Sequence, residues 1–387
     1  MSWLDDELTD RKRRGLYRVR RRLQSGQGVV VRLQGREYLG FASNDYLNLA
    51  ADPRLTRAAA RVARRYGCGA GASPLVSGYL PPHRALERAL ARWEETEAAL
   101  VCSSGFAANL AAVSSLAGSE DAVFSDALNH ASLIDGCRLA RARVYVYRHA
   151  DANHLNDLLG HEGRKSRRRL IVTDTIFSMD GDLAPLAELL DLANRHDALL
   201  LIDEAHATGV FGEQGRGLTE LLPPEALRAS SRLVKTGTLS KALGAQGGFL
   251  CGRRALQAWF VNYARPYIFS TALAPPIAGA ACKAVAIVKQ ENPARQRLQT
   301  LAALLRSRLQ EAGFPESNSR SQIVPLIVGE ARAAQELSAR LRHQGLLVPA
   351  IRPPSVPDGT ARLRISLTAG HSEDDVERLI AALKCQR

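Results

Sequence analysis

A chain of 387 residues with 46% hydrophobic composition has enough apolar material for a sizeable core, which excludes a disordered protein and suggests one large domain with a smaller one attached. The formal charge of +13 invites a nucleic-acid reading, yet only seven of the 52 basic residues are lysine, and arginine spread along a whole chain marks a compositional habit as much as a binding surface. Six cysteines without any C-x-x-C spacing argue against a zinc site or a disulfide framework, and a reducing cytoplasm is the expected compartment.

The opening MSWLDDELTDRKRRG has no apolar core and does not read as a secretory signal. Leu4 to Leu23 is predicted as a charged helix ending in Arg20, Arg21 and Arg22, a cluster whose plain reading is a solvated face. VVVRL and REYLGF predict a hairpin about Gly35, and SNDYL follows as a turn in which Asn44 either touches a ligand or caps the next element. GCGAGASPLVSG, from Gly67 to Gly78, is too rich in small residues for regular structure and reads as a loop. Helical periodicity runs from His83 to Glu95. AALVCSSGFAANLAAVSSLAG then predicts a strand, a tight turn and a helix. Unpaired amides of Gly105, Phe106 and Ala107 at that helix start, on the positive end of its dipole, favour a phosphate.

The pattern repeats. DAVFSD is a strand, NHASLIDGCRLAR a helix beginning near His130, VYVY a strand, and LIVTDTIFSMDGD a strand passing into a polar turn at Ser178. A helix from Ala184 to His196 leads to LLLIDEAH, which delivers Asp203 and His206 from a strand end. LVKTGTLSKALGAQGG, from Leu233 to Gly248, sets Lys241 on a turn beside Thr238 and Ser240. Strands alternating with amphipathic helices predict an α/β fold with a large, mainly parallel sheet, whose ligands bind beyond the carboxyl ends of strands. His130, Ser178, Asp203, His206 and Lys241 all fall at such ends. An amine flanked by hydroxyls, with a carboxylate from a neighbouring strand, suits a Schiff-base lysine under pyridoxal 5'-phosphate (PLP), the acid pairing with the pyridinium nitrogen.

Ala272 to Val288 is apolar but contains Pro275, Pro276 and Lys283, so it reads as a buried helix rather than a membrane span. Beyond it come a long helix, a hairpin-like VPLIVGE, another helix, LRISLTAGH and a last helix, which together predict a smaller α+β domain. The expected division is 1–45 for an N-terminal helix and hairpin, 46–285 for the large domain and 286–387 for the small one. LLLIDEAH also fits a DEAH-type ATPase. That reading requires a Gly-Lys step in a phosphate loop, and no lysine here follows a glycine.

The motifs SNDYLNL, SSGFAANLA, NHASL, FSMDGDLAPL, DEAHATGVFGEQGRG, TLSKALGAQGG, FSTALAPP and GTARLRISLTA together resemble the α-oxoamine synthases, a branch of the fold-type I PLP-dependent transferases. AIRPPSVPDGTARLR and the opening arginine cluster are most similar to the branch member of biotin formation, which joins L-alanine to a pimeloyl thioester. Sister acyltransferases using glycine or serine, of the glycine C-acetyltransferase, 5-aminolevulinate synthase and serine palmitoyltransferase types, share the cofactor site and remain alternatives. The resemblance implies Lys241 as Schiff-base lysine, Asp203 as partner of the ring nitrogen and His130 stacked on the ring. His206 and Ser178 would bond the phenolic oxygen, while Gly105, Phe106 and Thr238 would hold the phosphate. Ser270 and Thr271 would reach the phosphate of a second subunit in an obligatory homodimer. Arg364 and Asn44 would grip the amino-acid carboxylate, with Arg20 and Ser355 toward the acyl donor, whose carrier is either CoA or an acyl carrier protein. No metal, nucleic acid or membrane is expected.

Overall fold

Gly15 shortens the first helix. It spans Ser2–Arg13 rather than reaching the expected Leu23, because Gly15 adopts a φ of +68° and its amide closes on the Lys12 carbonyl at 3.1 Å. The structure, a computed structural model, describes residues 2–229 and 231–386. It divides into two units, one containing residues 2–48, 178–182 and 296–386, the other Leu49–Phe177 and Leu183–Arg295.

In the first unit β1 (Val30–Leu33) pairs antiparallel with β2 (Arg36–Gly40), as the hairpin pattern predicted. The turn between them holds Gln34 and Gly35 at φ of +52° and +75°, the left-handed pair that a two-residue hairpin loop needs.

The second unit is built on a seven-stranded sheet of β3 (Ala98–Cys102), β4 (Ala122–Asp126), β5 (Arg143–Tyr147), β6 (Arg169–Asp174), β7 (Leu199–Asp203), β8 (Leu233–Thr238) and β9 (Gly248–Gly252). Its order is β3-β9-β8-β7-β6-β4-β5, and β9 alone runs antiparallel to its neighbours. Continuous apolar runs such as LLLI in β7 suit strands covered on both faces. The covering core is made of small side chains, with Ala108, Ala111, Ala112 and Val113 of the Gly105–Leu116 helix packed with Val123, Val172, Leu201 and Val234 of the sheet. The apolar stretch before residue 289 forms the helix Pro275–Val288, which buries Ala278, Ala281, Ala284 and Val288. No helix among the described residues is long and apolar enough to cross a membrane.

The rest of the first unit differs from the expectation at VPLIVGE. Rather than a hairpin, β10 (Ile323–Gly329) is a single strand, because the helix formers of ARAAQELSARLRH take the chain into a helix at Ala331–His343. Two short strands follow, β11 (Leu346–Leu347) and β12 (Ala350–Ile351), and then β13 (Ala361–Ser366). β13 lies antiparallel between β10 and β12, while β11 adds to β2 in parallel.

Candidate active site

β6, β7 and β8 are parallel neighbours, with Asp174 in register with Asp203 and Asp203 with Thr236, so their carboxyl ends finish on one edge. The loops leaving that edge bring Lys241 and His206 together, with 2.9 Å between Nζ and Nε2. Lys241 is half-buried and His206 buried. Asp203 is also buried, and both carboxylate oxygens are engaged: Oδ1 accepts from the Ala205 amide at 2.8 Å and Oδ2 from the Asn109 side chain at 2.6 Å. Two donors satisfy and aim a charge that would be costly to bury alone.

His130 caps the Ala131–Ala140 helix, its Nδ1 accepting from the Ser132 amide at 3.3 Å and facing Ser132 Oγ at 2.7 Å. The backbone amide of His130 donates to Asp174 at 2.6 Å. The outer side of the imidazole is open, while enclosure of its inner edge lowers its basicity below the usual histidine value, against the opposing charge of Asp203 and with that of Lys241. Burial, and then the neighbouring charge of Asp203, hold the Asp174 carboxyl well above the ordinary carboxylate range. Phe106 stands edge-on to His130 at 6.4 Å between centroids and is exposed.

The expected phosphate end is a packed corner. Ser104 caps the Gly105–Leu116 helix by accepting from the Ala107 amide at 3.0 Å, which leaves the amides of Gly105 and Phe106 as its first donors. A side chain at Gly105 would press on Thr238 at 3.2 Å, and one at Gly248 would meet the Ser104 carbonyl at 2.4 Å, so glycine is what lets the strand ends close on the helix start. Thr238 Oγ1 contacts Ser240 Oγ at 2.7 Å. These donors at a helix start, a lysine amine and an oriented acid together fit PLP, which needs a phosphate seat, an amine for its aldehyde and an anion for its ring nitrogen.

The first unit holds a second set. Arg364, on β13, is buried and donates from Nη1 to Asn44 Oδ1 at 3.0 Å and to Ser366 Oγ at 2.8 Å, and from Nε to the Ser178 carbonyl. Tyr46 also donates to Asn44 Oδ1, at 3.2 Å. A buried guanidinium with no carboxylate among these partners is suited to an anionic substrate group. Arg20 is exposed and lines a cavity of about 430 Å³ with Arg21 and Arg22, while the Ser355 amide turns back to Arg352 O at 3.1 Å. Ser270 and Thr271 lie on a surface segment beside Phe269, which is 70% exposed. Among the described residues no hydrogen bond joins Arg20, Ser355 or the Ser270–Thr271 pair to the other predicted site residues.

Sequence reasoning missed Asn109, Ser132, Asp174 and Thr236. The available signal was Asn109 itself, an amide buried amid the apolar residues of its helix. The ATPase reading gains nothing from Glu204, which is fully buried and accepts from the Leu218 and Thr219 amides and from Thr175, so its carboxylate is turned into the fold.

A family model described as aminotransferase class I and II matches residues 36–383. The chain is 47% identical to an 8-amino-7-oxononanoate synthase from Anaeromyxobacter dehalogenans, across 99% of this chain and 95% of that one. Among solved structures it resembles a serine palmitoyltransferase from S. paucimobilis with a bound PLP-myriocin aldimine, at a TM-score of 0.91 and 29% identity over 99% and 96% of the two chains. It also resembles an 8-amino-7-oxononanoate synthase from Francisella tularensis, at a TM-score of 0.77 and 28% identity over 90% and 97%.

Proposed function

The chain belongs to the class I and II aminotransferase family as a fold-type I, PLP-dependent acyltransferase, and on that premise we propose that it condenses L-alanine with a pimeloyl thioester to give 8-amino-7-oxononanoate, CO2 and the free carrier thiol in biotin formation. A shared fold does not choose between alanine and serine. Identity of 46% to 50% to curated 8-amino-7-oxononanoate synthases, over 98% or more of this chain, supports this choice. The observation that carries the chemistry is the Lys241–His206 contact on the strand edge that also presents Asp203.

PLP, when bound, supplies an electron sink for the amino-acid α-carbon. Asp203 keeps the ring nitrogen protonated, so that the sink carries its charge. Lys241 removes the α-proton and returns it after CO2 has left, and His206 orients the amine that does so. Arg364 and Asn44 hold the alanine carboxylate until it departs as CO2. His130 covers the ring, His206 and Ser178 bond its phenolic oxygen, and Gly105, Phe106 and Thr238 seat the phosphate. The new carbon–carbon bond joins the alanine α-carbon to the thioester carbonyl, and the carrier thiolate leaves. Arg20 and Ser355 contact the acyl donor, on CoA or on a carrier protein. A homodimer, with Ser270 and Thr271 serving the opposite site, is supported by the exposed Leu75, Val76 and Phe269 on segments tied by the Ala272 amide to the Ala72 carbonyl at 3.0 Å. A cytoplasmic setting completes the reading.

Adding alanine to the holoenzyme is expected to shift its visible band, and alanine with pimeloyl-CoA to release CoA and CO2. Preference for glycine with acetyl-CoA, or for serine with palmitoyl-CoA, would refute the substrates and leave the acyltransferase class standing.

A further inference from the structure

Asp203 and His130 are joined by a chain of side chains that no catalytic role yet explains. Asn109 is 2% exposed, in the middle of a helix that otherwise buries Ala, Val, Leu and Ser. An amide there costs both helix propensity and desolvation, and it is tolerable only with every polar atom partnered. Each one is: Nδ2 lies 2.6 Å from Asp203 Oδ2 and 2.9 Å from Ser132 Oγ, and Oδ1 lies 2.7 Å from Thr236 Oγ1.

Chemistry fixes the direction of each bond. The Asp203 carboxylate only accepts, so the amide NH2 must face it, and its second proton goes to Ser132 Oγ. With that lone pair engaged, the Ser132 hydroxyl proton is directed at His130 Nδ1, 2.7 Å away, where the Ser132 backbone amide also donates at 3.3 Å. Two donors on Nδ1 make it an acceptor, which leaves the proton of the neutral imidazole on Nε2. Asp203 itself keeps the amide from turning over, since a reversed Asn109 would set its carbonyl against the carboxylate, and Thr236 Oγ1 meets the carbonyl on the other side.

We propose that Asn109 is a positioning residue that aims Asp203 with one amide proton and, through Ser132, locks His130 in the Nε2–H tautomer. Acid and ring-covering imidazole are then tied to the same amide, and neither can rotate without breaking its bond into that chain. The sequence of roles rests on the reading of Asp203 and His130 as cofactor partners given above. Aspartate at 109 would press a second carboxylate on Asp203, and leucine would leave Asp203, Ser132 and Thr236 each short of a partner.

Two measurements test this. In cofactor-free protein labelled with 15N-histidine, long-range proton–nitrogen spectra at pH 8 should show His130 as the Nε2–H tautomer, and Asn109→Leu and Ser132→Ala should each turn it into a mixture. In holoenzyme carrying PLP labelled with 15N in the ring, Asn109→Leu should lower the apparent pKa of the ring nitrogen enough to reduce its protonated fraction at least tenfold. If Asn109→Leu does not fold, Thr236→Val, which removes the hydroxyl that meets Asn109 Oδ1 and the Ile202 carbonyl, is expected to move both signals in the same direction. An unchanged His130 tautomer in the folded variants overturns the proposal. A changed tautomer with an unmoved ring nitrogen upholds the network and refutes Asp203 as the ring's partner.

Discussion

Lys241 Nζ and His206 Nε2 stand 2.9 Å apart, within hydrogen-bonding distance of each other. The amine is thereby held at the strand edge and not extended into solvent. Borohydride reduction of the holoenzyme followed by peptide mapping is expected to place PLP on Lys241 alone. Lys235 is the informative control, since it is buried on β8, the strand that leads to Lys241, but bound by Glu94 at 2.6 Å. Label on Lys235 or any other lysine would contradict the assignment.

Arg364 is the anchor expected for the alanine carboxylate. Losing a hydrogen bond to a charged group costs about 1.5–3 kcal/mol, so Arg364→Ala should weaken alanine binding roughly ten- to a hundredfold. The measurement is the alanine concentration that half-saturates the visible spectral shift. Asn44→Ala should produce a smaller loss in the same direction, because Asn44 supports the guanidinium from its Oδ1.

Arg20 separates the two substrates. Arg20→Ala should weaken use of the pimeloyl thioester by about 1–3 kcal/mol and leave alanine-dependent α-proton exchange nearly unchanged when no acyl donor is present. Equal loss in both assays would move Arg20 to the amino-acid side. No change in either would make it a solvated member of its cluster.

Glu87 gives a pH dependence with a definite sign. It is buried, accepting from the Val101 amide at 3.1 Å and from Tyr79 OH at 2.6 Å, and burial pushes its carboxyl up to about 7 from 4.5. Between those values the folded chain keeps a proton that the unfolded chain has lost, so this group's contribution to stability is present below 4.5 and declines as pH rises toward 7. In urea unfolding, Glu87→Gln should flatten the slope of stability against pH by up to about 1.4 kcal/mol per pH unit within that window. A slope identical to the parent's would remove Glu87 as its source.

The shared-site homodimer is tested by complementation. If a Thr271 variant is inactive by itself, mixing it with Lys241→Ala should restore part of the activity through hybrid dimers. Failure despite proven subunit exchange would exclude the contribution of Thr271 to a second site.

The large sheet was legible because its strands are unbroken apolar runs ending in polar turns, a pattern that local sequence states directly. The same logic located Asp203, His206 and Lys241, each at or just past a strand end. Asn109, Ser132 and Thr236 were not legible, because their meaning lies in pairings between different strands and helices, and nothing within a few residues of Asn109 names Asp203 as its partner. The extent of the first helix was misread for a local reason: its charged pattern continues past residue 13, and a single left-handed glycine overrides it. At VPLIVGE the apolar run was recognised, but its partner, β13, lies some thirty residues further on and beyond a helix.

The pairing of β3 with β9 sets an order of events during synthesis. All five residues of β3 are apolar and buried, yet the strand beside them, Gly248–Gly252, leaves the ribosome about 150 residues later. At translation rates of about 5–20 residues per second, β3 waits on the order of ten seconds with a greasy edge and no neighbour. Throughout that interval the nascent chain is exposed to pairing with the wrong strand or with another chain. Its yield in the cell should therefore depend on chaperone capacity during translation more than on the stability of the finished sheet.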